Sequence, residues 1–216
     1  MPHGHKDAFM LELAIWIIIG FISGSVPWAL LIGKALGGKD IRSVGDGNPG
    51  AANLWKLDGW APGMLSVVLE VSKSLVPVYL ANRYVGELSG PMSAGGLALL
   101  ALAPVIGHGW SPFLRFNGGK ALAASWGSWI AITGGIAVPA ACIFLGFMHG
   151  LQRNHAITVT FCLVGFLVLF LPLLMEPYII FFWVGNLVVI AYKHRFEYSK
   201  GFLLRSWVLR LARPLI

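Results

Sequence analysis

Between Glu12 and Lys34 the chain runs for 21 residues, Leu13 to Gly33, without one formal charge. A bilayer core about 30 Å thick is crossed by about 20 apolar residues in a helix, which pairs its own backbone N–H and C=O groups where no water can. A second uncharged run, Ala121 to Met148, is longer still. No water-facing domain accommodates both. Hydrophobic residues make up 57% of the 216 and charged ones only 12%, about half the charge that covers a soluble surface. The chain is therefore read as an all-α integral membrane protein, one membrane domain over 1–216, with a helical bundle at 12–192 and a basic tail at 193–216. The net charge of +7 suits anionic lipid rather than nucleic acid, because most of this chain must hide from water.

The apolar segments predict about seven transmembrane or partly spanning helices. Leu13 to Gly33 is a full span with Pro27 kinking its last turns. Met64 to Ala81 is a second, interrupted by Glu70 and Lys73, and Met92 to Gly107 a shorter third. Gly134-Gly135 and Pro139 divide Ala121 to Met148 into two short helices, with one long tilted span as the alternative. Ala156 to Leu171 and Tyr178 to Tyr192 complete the set, separated by Pro172 and Pro177.

Sidedness follows from lysine and arginine. With the N-terminus outside, Lys34, Lys39, Arg42, Lys56, Arg115, Lys120 and Arg153 fall in inner loops. Lys193, Arg195, Lys200, Arg205, Arg210 and Arg213 fall in a cytoplasmic tail, against only Lys6 and Arg83 outside. Met1 to Glu12 lacks a basic n-region, so a removed signal peptide is not expected. Cys142 and Cys162 lie in apolar runs and define neither a disulfide framework nor a metal site.

Three inner segments depart from ordinary loop composition. In Asp40-Ile41-Arg42-Ser43-Val44-Gly45-Asp46-Gly47-Asn48-Pro49-Gly50-Ala51-Ala52-Asn53, the glycines at 45, 47 and 50, with Asn48 and Asn53, can take positive φ and aim successive N–H groups at one anion. Arg42 can add a bidentate contact, while Asp46 argues against a bare anion site. The bland reading of this stretch is a flexible linker. In the second segment, Gly107-His108 leads through Arg115 to Gly118-Gly119-Lys120 ahead of an apolar helix, which combines free amides, a helix N-terminus and an ammonium. It is not a Walker loop, since Ala121 stands where that pattern has Ser or Thr. The third is Lys193-His194-Arg195-Phe196-Glu197, where His194 can exchange a proton near neutral pH. Beyond it, Arg205, Arg210 and Arg213 among Leu, Val and Trp fit a partly amphipathic helix on anionic lipid. Glu70 and Lys73, three apart on one helical face, form either a functional pair or an ion pair tying helices together. His149 and His155 are placed at the lipid interface.

Taken in chain order with Gly24-Ser25-Val26-Pro27, these motifs resemble the bacterial acyl-phosphate-dependent glycerol-3-phosphate acyltransferases of the PlsY type, from about Ser23 to about Lys200. Leu69-Glu70-Val71-Ser72-Lys73 is similar to that family's Asp-x-x-Lys stretch. The resemblance implies a multi-pass enzyme of the bacterial inner membrane, working on its cytoplasmic face within phospholipid synthesis. It moves an acyl group from acyl phosphate to the 1-hydroxyl of sn-glycerol 3-phosphate, giving lysophosphatidic acid and phosphate, with neither cofactor nor metal. Its partners are those two substrates and membrane lipid; the oligomeric state is left open. Carried over by motif, Lys120, His194 and Arg42 are the catalytic set. Ser25, Gly45, Gly47, Asn48, Gly50, Asn53, His108, Gly118, Gly119 and Glu197 are the substrate-binding set. The histidine–aspartate dyad of soluble acyltransferases is absent: five residues after His108 is Phe113, and five after His194 is Ser199. His194 or a substrate phosphate remains as the proton acceptor.

The chain departs from the family's pattern at informative places. Asp46 stands for a serine, Lys56 for an arginine, Ala121 for a glycine and Glu197 for an asparagine, and Arg153-Asn154-His155 opens a stretch in which one hydroxyl is lost. Two added carboxylates oppose a dianionic phosphate unless they pair with cations, for which Arg42 and Arg195 are the expected partners. The alternatives are a diverged paralogue with another acceptor, or a non-catalytic phosphate-ligand transporter or lipid-binding protein.

Overall fold

The computed structural model describes residues 3–38, 40–89, 92–174 and 176–212. Its helices are α1 (His3–Ser25), α2 (Trp28–Gly37), α3 (Ala51–Asp58), α4 (Trp60–Ser89), α5 (Ala94–Gly109), α6 (Leu122–Thr133), α7 (Ala137–Leu151), α8 (His155–Leu174), α9 (Pro177–Lys193), α10 (Arg195–Tyr198) and α11 (Ser206–Ala212). The extended pairing among the described residues is an isolated antiparallel bridge between Gln152 and Leu204. Three stretches, Asp7–Gly37, Trp60–Val85 and Ala94–Leu114, are long and apolar enough to cross a membrane, and α7, α8 and α9 add shorter apolar helices. The expectation of an all-helical, multi-pass membrane chain holds.

The first expected span is not one kinked helix. α1 stops at Ser25 and α2 restarts at Trp28, because Pro27 has no N–H to donate and its ring crowds the preceding turn. The break is held from α4. Glu70 Oε1 accepts the Ala29 N–H at 3.1 Å, and Lys73 Nζ donates to the Val26 carbonyl at 2.7 Å. The two side chains also pair with each other at 2.5 Å, both buried. Charges that look misplaced in an apolar helix thus satisfy the orphan amide and carbonyl of an interrupted neighbour.

The uncharged run from Ala121 to Met148 is two helices. Gly134 and Gly135, at φ 60° and 89°, turn the chain between α6 and α7. With 12 residues, α6 rises roughly 18 Å, short of a full crossing. The divider expected at Pro172 does not act as one, since α8 continues to Leu174, while Pro177 opens α9 at a position where no amide is needed.

Small residues let the helices approach closely, as they do where lipid supplies no hydrophobic drive to associate. Where α1 crosses α5, a Cβ on Gly24 would collide with the Pro104 backbone and one on Gly107 with the Phe21 carbonyl. Buried polar groups add interhelical bonds: Ser128 Oγ to the Ala101 carbonyl at 2.7 Å, and Asn186 Nδ2 to Ser125 Oγ at 2.7 Å. Trp129 sits edge-on to Phe182 and Phe166, with centroids 4.9 and 5.3 Å away. The outer surface is apolar, with Ile18, Ile143 and Val188 each more than half exposed, which suits hydrocarbon rather than water.

Helices α1, α5, α7 and α9 end at the face where α4, α6 and α8 begin. The three unusual sequence segments all lie at that face. Lys39 and Arg213 are outside the described residues, so their expected inner and lipid-facing roles have no structural counterpart here.

Candidate active site

The loop before α3 is shaped by two glycines rather than three. Gly45 and Gly47 take φ 62° and 72°, whereas Gly50 is extended at φ −108° and caps α3. Neither Asn48 nor Asn53 adopts positive φ. The expected nest of successive amides is therefore narrower, and it is already occupied: the Asn48 N–H donates to Asp46 Oδ1 at 3.2 Å. Buried Asn53 donates from Nδ2 to the same oxygen at 2.9 Å and to the Asn48 carbonyl at 2.9 Å. A side chain on Gly45 would strike Asn53 and come within 2.9 Å of Lys56 Nζ, so this turn needs glycine for space as well as for φ.

The second loop is anchored from two sides. Gly119 N–H donates to the His108 carbonyl at 3.0 Å, and Lys193 Nζ donates to the carbonyls of Gly109 at 2.7 Å and Gly118 at 3.3 Å while lying over the Trp110 ring. His108 Nδ1 lies 3.2 Å from Glu70 Oε2, which links the loop to the charged pair of α4. Ala121, next to Lys120, takes φ 64°, a left-handed conformation that costs a non-glycine residue about 1–2 kcal/mol. Arg115 and Phe116 do the same at φ 53° and 61°. Such strain persists only where surrounding contacts fix it, and it clusters at functional loops.

The third segment is folded back by Asn154, whose Nδ2 donates to the carbonyls of Glu197 at 2.9 Å and Gly201 at 2.8 Å while its Oδ1 caps α8 through the Ala156 N–H. His194 is 1% exposed. Its Nδ1 donates to the Ile190 carbonyl at 2.9 Å, which leaves Nε2 as an acceptor with no hydrogen-bond partner among the described residues. Burial pushes its pKa below the ordinary 6.5, against the opposing pull of that carbonyl, so the ring is neutral at pH 7.

These segments enclose a pocket of about 430 Å³ lined by Gly45, Asp46, Asn48, Gly50, Asn53, Lys120, His194 and Glu197, with Glu70 and His108 at its floor. At its centre Lys120 Nζ lies 2.5 Å from Asp46 Oδ2 and pairs also with Glu197 Oε1. Burial alone pushes the Asp46 pKa up, but hydrogen bonds from Lys120 and Asn53 hold it at about 2. Lys120 is raised above its ordinary value because these two carboxylates outweigh its burial. The carboxylate partners expected from sequence were Arg42 and Arg195; both are corrected to Lys120. Arg195 instead donates to the Tyr192 carbonyl at 2.7 Å.

Two expected site residues do not line this pocket. Arg42 is bound to Asp40 at 2.6 Å and lines a separate groove of about 580 Å³ with Lys34 and Arg115. Ser25 is buried, its Oγ donating to the Phe21 carbonyl at 2.7 Å and its carbonyl accepting Ser111 Oγ at 2.6 Å. Gly118 and Gly119 act by close approach, since a Cβ on either would run into the His108 carbonyl or ring. Conversely, the pocket includes Lys56, Arg153, His155 and Lys200, none of which was in the expected site. Lys56 and Arg153 stood in the motif stretches and were legible there; His155 had been assigned to the lipid interface. Arg205, expected on lipid, donates from Nε to the His149 carbonyl at 2.5 Å, and Trp207 donates to that of Gly150 at 2.9 Å, so the tail is docked on the last turn of α7. Among the described residues no cluster of three His, Cys, Asp or Glu side chains has the geometry to hold a metal ion.

Comparison with known proteins gives a consistent picture. Residues 14–202 match the family described as glycerol-3-phosphate acyltransferase. The chain is 31% identical over 208 residues to glycerol-3-phosphate acyltransferase 1 of Thermotoga maritima, an alignment that covers 86% of this chain and 97% of that protein. It is 42% identical over 123 residues to the glycerol-3-phosphate acyltransferase of Rubrobacter xylanophilus, covering 57% of this chain and 58% of the relative. Its fold is similar to the crystal structure of PlsY (YgiH), an integral membrane glycerol 3-phosphate acyltransferase, in the glycerol 3-phosphate form, with TM-score 0.75 and 26% identity over 87% of this chain and 90% of that one. The lysophosphatidic acid form of the same enzyme matches with TM-score 0.71.

Proposed function

Because the chain belongs to the glycerol-3-phosphate acyltransferase family, we propose that the pocket around Lys120 is the site where it acylates glycerol 3-phosphate. The protein is a PlsY-type acyltransferase that forms lysophosphatidic acid. The acyl donor is acyl phosphate and the acceptor group is the 1-hydroxyl. One observation carries the site: Lys120, His194 and the Gly45–Gly50 turn, far apart in the chain, line one pocket.

The chemistry fits these groups. The acceptor oxygen attacks the acyl carbonyl carbon, a new ester bond forms, and the bond from that carbon to the phosphate oxygen breaks, with phosphate leaving on the electron pair. Acyl phosphate is already activated, so no enzyme nucleophile is required; holding both reactants in contact supplies much of the barrier reduction. Lys120, aided by Lys56, Arg153 and Lys200, stabilises charge on the phosphoryl oxygens. The hydroxyl proton passes to His194 Nε2, which is neutral and has no hydrogen-bond partner among the described residues. Leu122 lines both this pocket and an apolar crevice between α6, α7 and α8 that includes Trp126 and Phe166, so apolar side chains adjoin the pocket on that side. The N-terminus lies outside a bacterial inner membrane, and the pocket and C-terminus face the cytoplasm, since eleven of the described basic residues belong to the segments on that side.

The test is phosphate release from acyl phosphate by the purified protein in detergent, with lysophosphatidic acid identified as the second product. Release that proceeds only when glycerol 3-phosphate is present is the expected result. Release without it, or none with both substrates, overturns the reading.

A further inference from the structure

Lys120 is not a free cation in this pocket. Asp46 Oδ2 lies 2.5 Å from its Nζ, and Glu197 pairs with the same nitrogen. The other Asp46 oxygen takes the Asn53 amide at 2.9 Å and the Asn48 N–H at 3.2 Å. An ammonium, a side-chain amide and a backbone N–H are the donors a phosphoryl group would recruit from these loops. All three already converge on one carboxylate.

We propose that Asp46 and Glu197 act as internal stand-ins for phosphate, and that glycerol 3-phosphate binds by displacing them from Lys120. The two carboxylates then set how tightly this pocket holds a phosphate dianion. This rests on the site assignment above and adds the determinant of its affinity.

The argument is one of charge and reach. A phosphate monoester carries close to two negative charges at neutral pH, and a like charge left beside it in a partly desolvated pocket is strongly unfavourable. Bound phosphate and two carboxylates cannot share one ammonium, so the carboxylates must move. Both have the freedom to do so by side-chain rotation alone. Asp46 is on a turn with its side chain 47% exposed. Glu197 is held through its backbone carbonyl by Asn154, which leaves its side chain to swing. Asp46 is exposed enough to turn toward solvent once it leaves Lys120. On departure of the products the carboxylates return to Lys120, so the exchange weakens phosphate binding and speeds release of two anionic products.

The experiment is equilibrium titration of the full-length protein in detergent with glycerol 3-phosphate and, separately, with inorganic phosphate, at low and high salt. Wild type is compared with Glu197→Gln, Glu197→Ala and Asp46→Asn. Removing one carboxylate is expected to tighten both ligands about tenfold at low salt, with the gain shrinking as salt rises. In turnover, Glu197→Gln is expected to lower KM for glycerol 3-phosphate without raising kcat. Unchanged or weaker binding in the Glu197 variants, with wild type binding both ligands, overturns the displacement and makes Glu197 a direct ligand of the substrate. If wild type and variants alike bind neither ligand, the site assignment fails and the displacement with it.

Discussion

His108 Nδ1 lies 3.2 Å from Glu70 Oε2, so the ring against which the Lys120 loop rests sits beside a buried charge of α4. The far side of the imidazole is covered by Gly119, where a methyl would sit 3.1 Å from Cδ2 and closer still to Nε2. Gly119→Ala is therefore expected to displace the loop. Overpacking of this kind costs about 1–3 kcal/mol, and a misplaced Lys120 lowers transfer about 100-fold. An assay alongside a melting curve checks it; wild-type turnover would show that the loop tolerates the shift.

Lys120→Ala removes the central cation and leaves Asp46 and Glu197 facing each other. A loss of about 10²–10³ in kcat/KM for phosphate release is expected. Arg42, bound to Asp40 in a separate groove, gives the contrast: Arg42→Ala is expected to leave KM for glycerol 3-phosphate within about twofold, as for other substitutions outside a site. Comparable losses for both would place Arg42 in the acceptor site after all.

Breaking the Glu70–Lys73 pair leaves a buried charge alone. Either Glu70→Gln or Lys73→Met is expected to cost about 3–5 kcal/mol, since the pair also holds the ends of α1 and α2 together. The double variant should lose less than the two singles combined, because no charge is stranded in it. Denaturation in detergent reads this coupling, and strict additivity would count against it.

Stability should fall on mild acidification through His194. Its folded pKa lies below the ordinary 6.5 because the ring is buried, so below 6.5 the unfolded chain binds a proton that the folded one refuses. Unfolding is thereby favoured as pH drops from 6.5 toward the folded value. Asp46 acts in a lower window: held at about 2 against an ordinary 3.8, it contributes stability above 3.8 that is lost as pH falls toward 2. The melting temperature is expected to decline as pH falls below 6.5, and His194→Gln should flatten that decline. A slope unchanged in the variant would assign it to another group.

Much of this was readable in the chain itself. Apolar runs fixed the helices, because hydrocarbon admits no unpaired backbone. Gly134-Gly135 marked the turn between α6 and α7, and the excess of lysine and arginine on one set of loops marked the face where Lys120 and His194 meet. The motif residues that resemble the acyltransferase family were legible for the same reason: glycines at tight approaches and cations at a phosphate site are local requirements, written where they act.

What sequence could not give was pairing across long separations. Asp46 and Lys120 are 74 residues apart, and Lys120 and Glu197 are 77; Arg42 and Arg195 were nearer in the chain and equally suitable in charge. Charge says that a partner is needed, but only the packing of α4, α5, α6 and α8 decides which cation arrives. The same holds for Glu70 and Lys73, whose partners at Ala29 and Val26 exist because Pro27 breaks a helix lying against α4. Local chemistry is set by residue type, and the tertiary fold chooses among its possible partners, because an ion pair forms only where the backbone brings the two groups within a few ångströms.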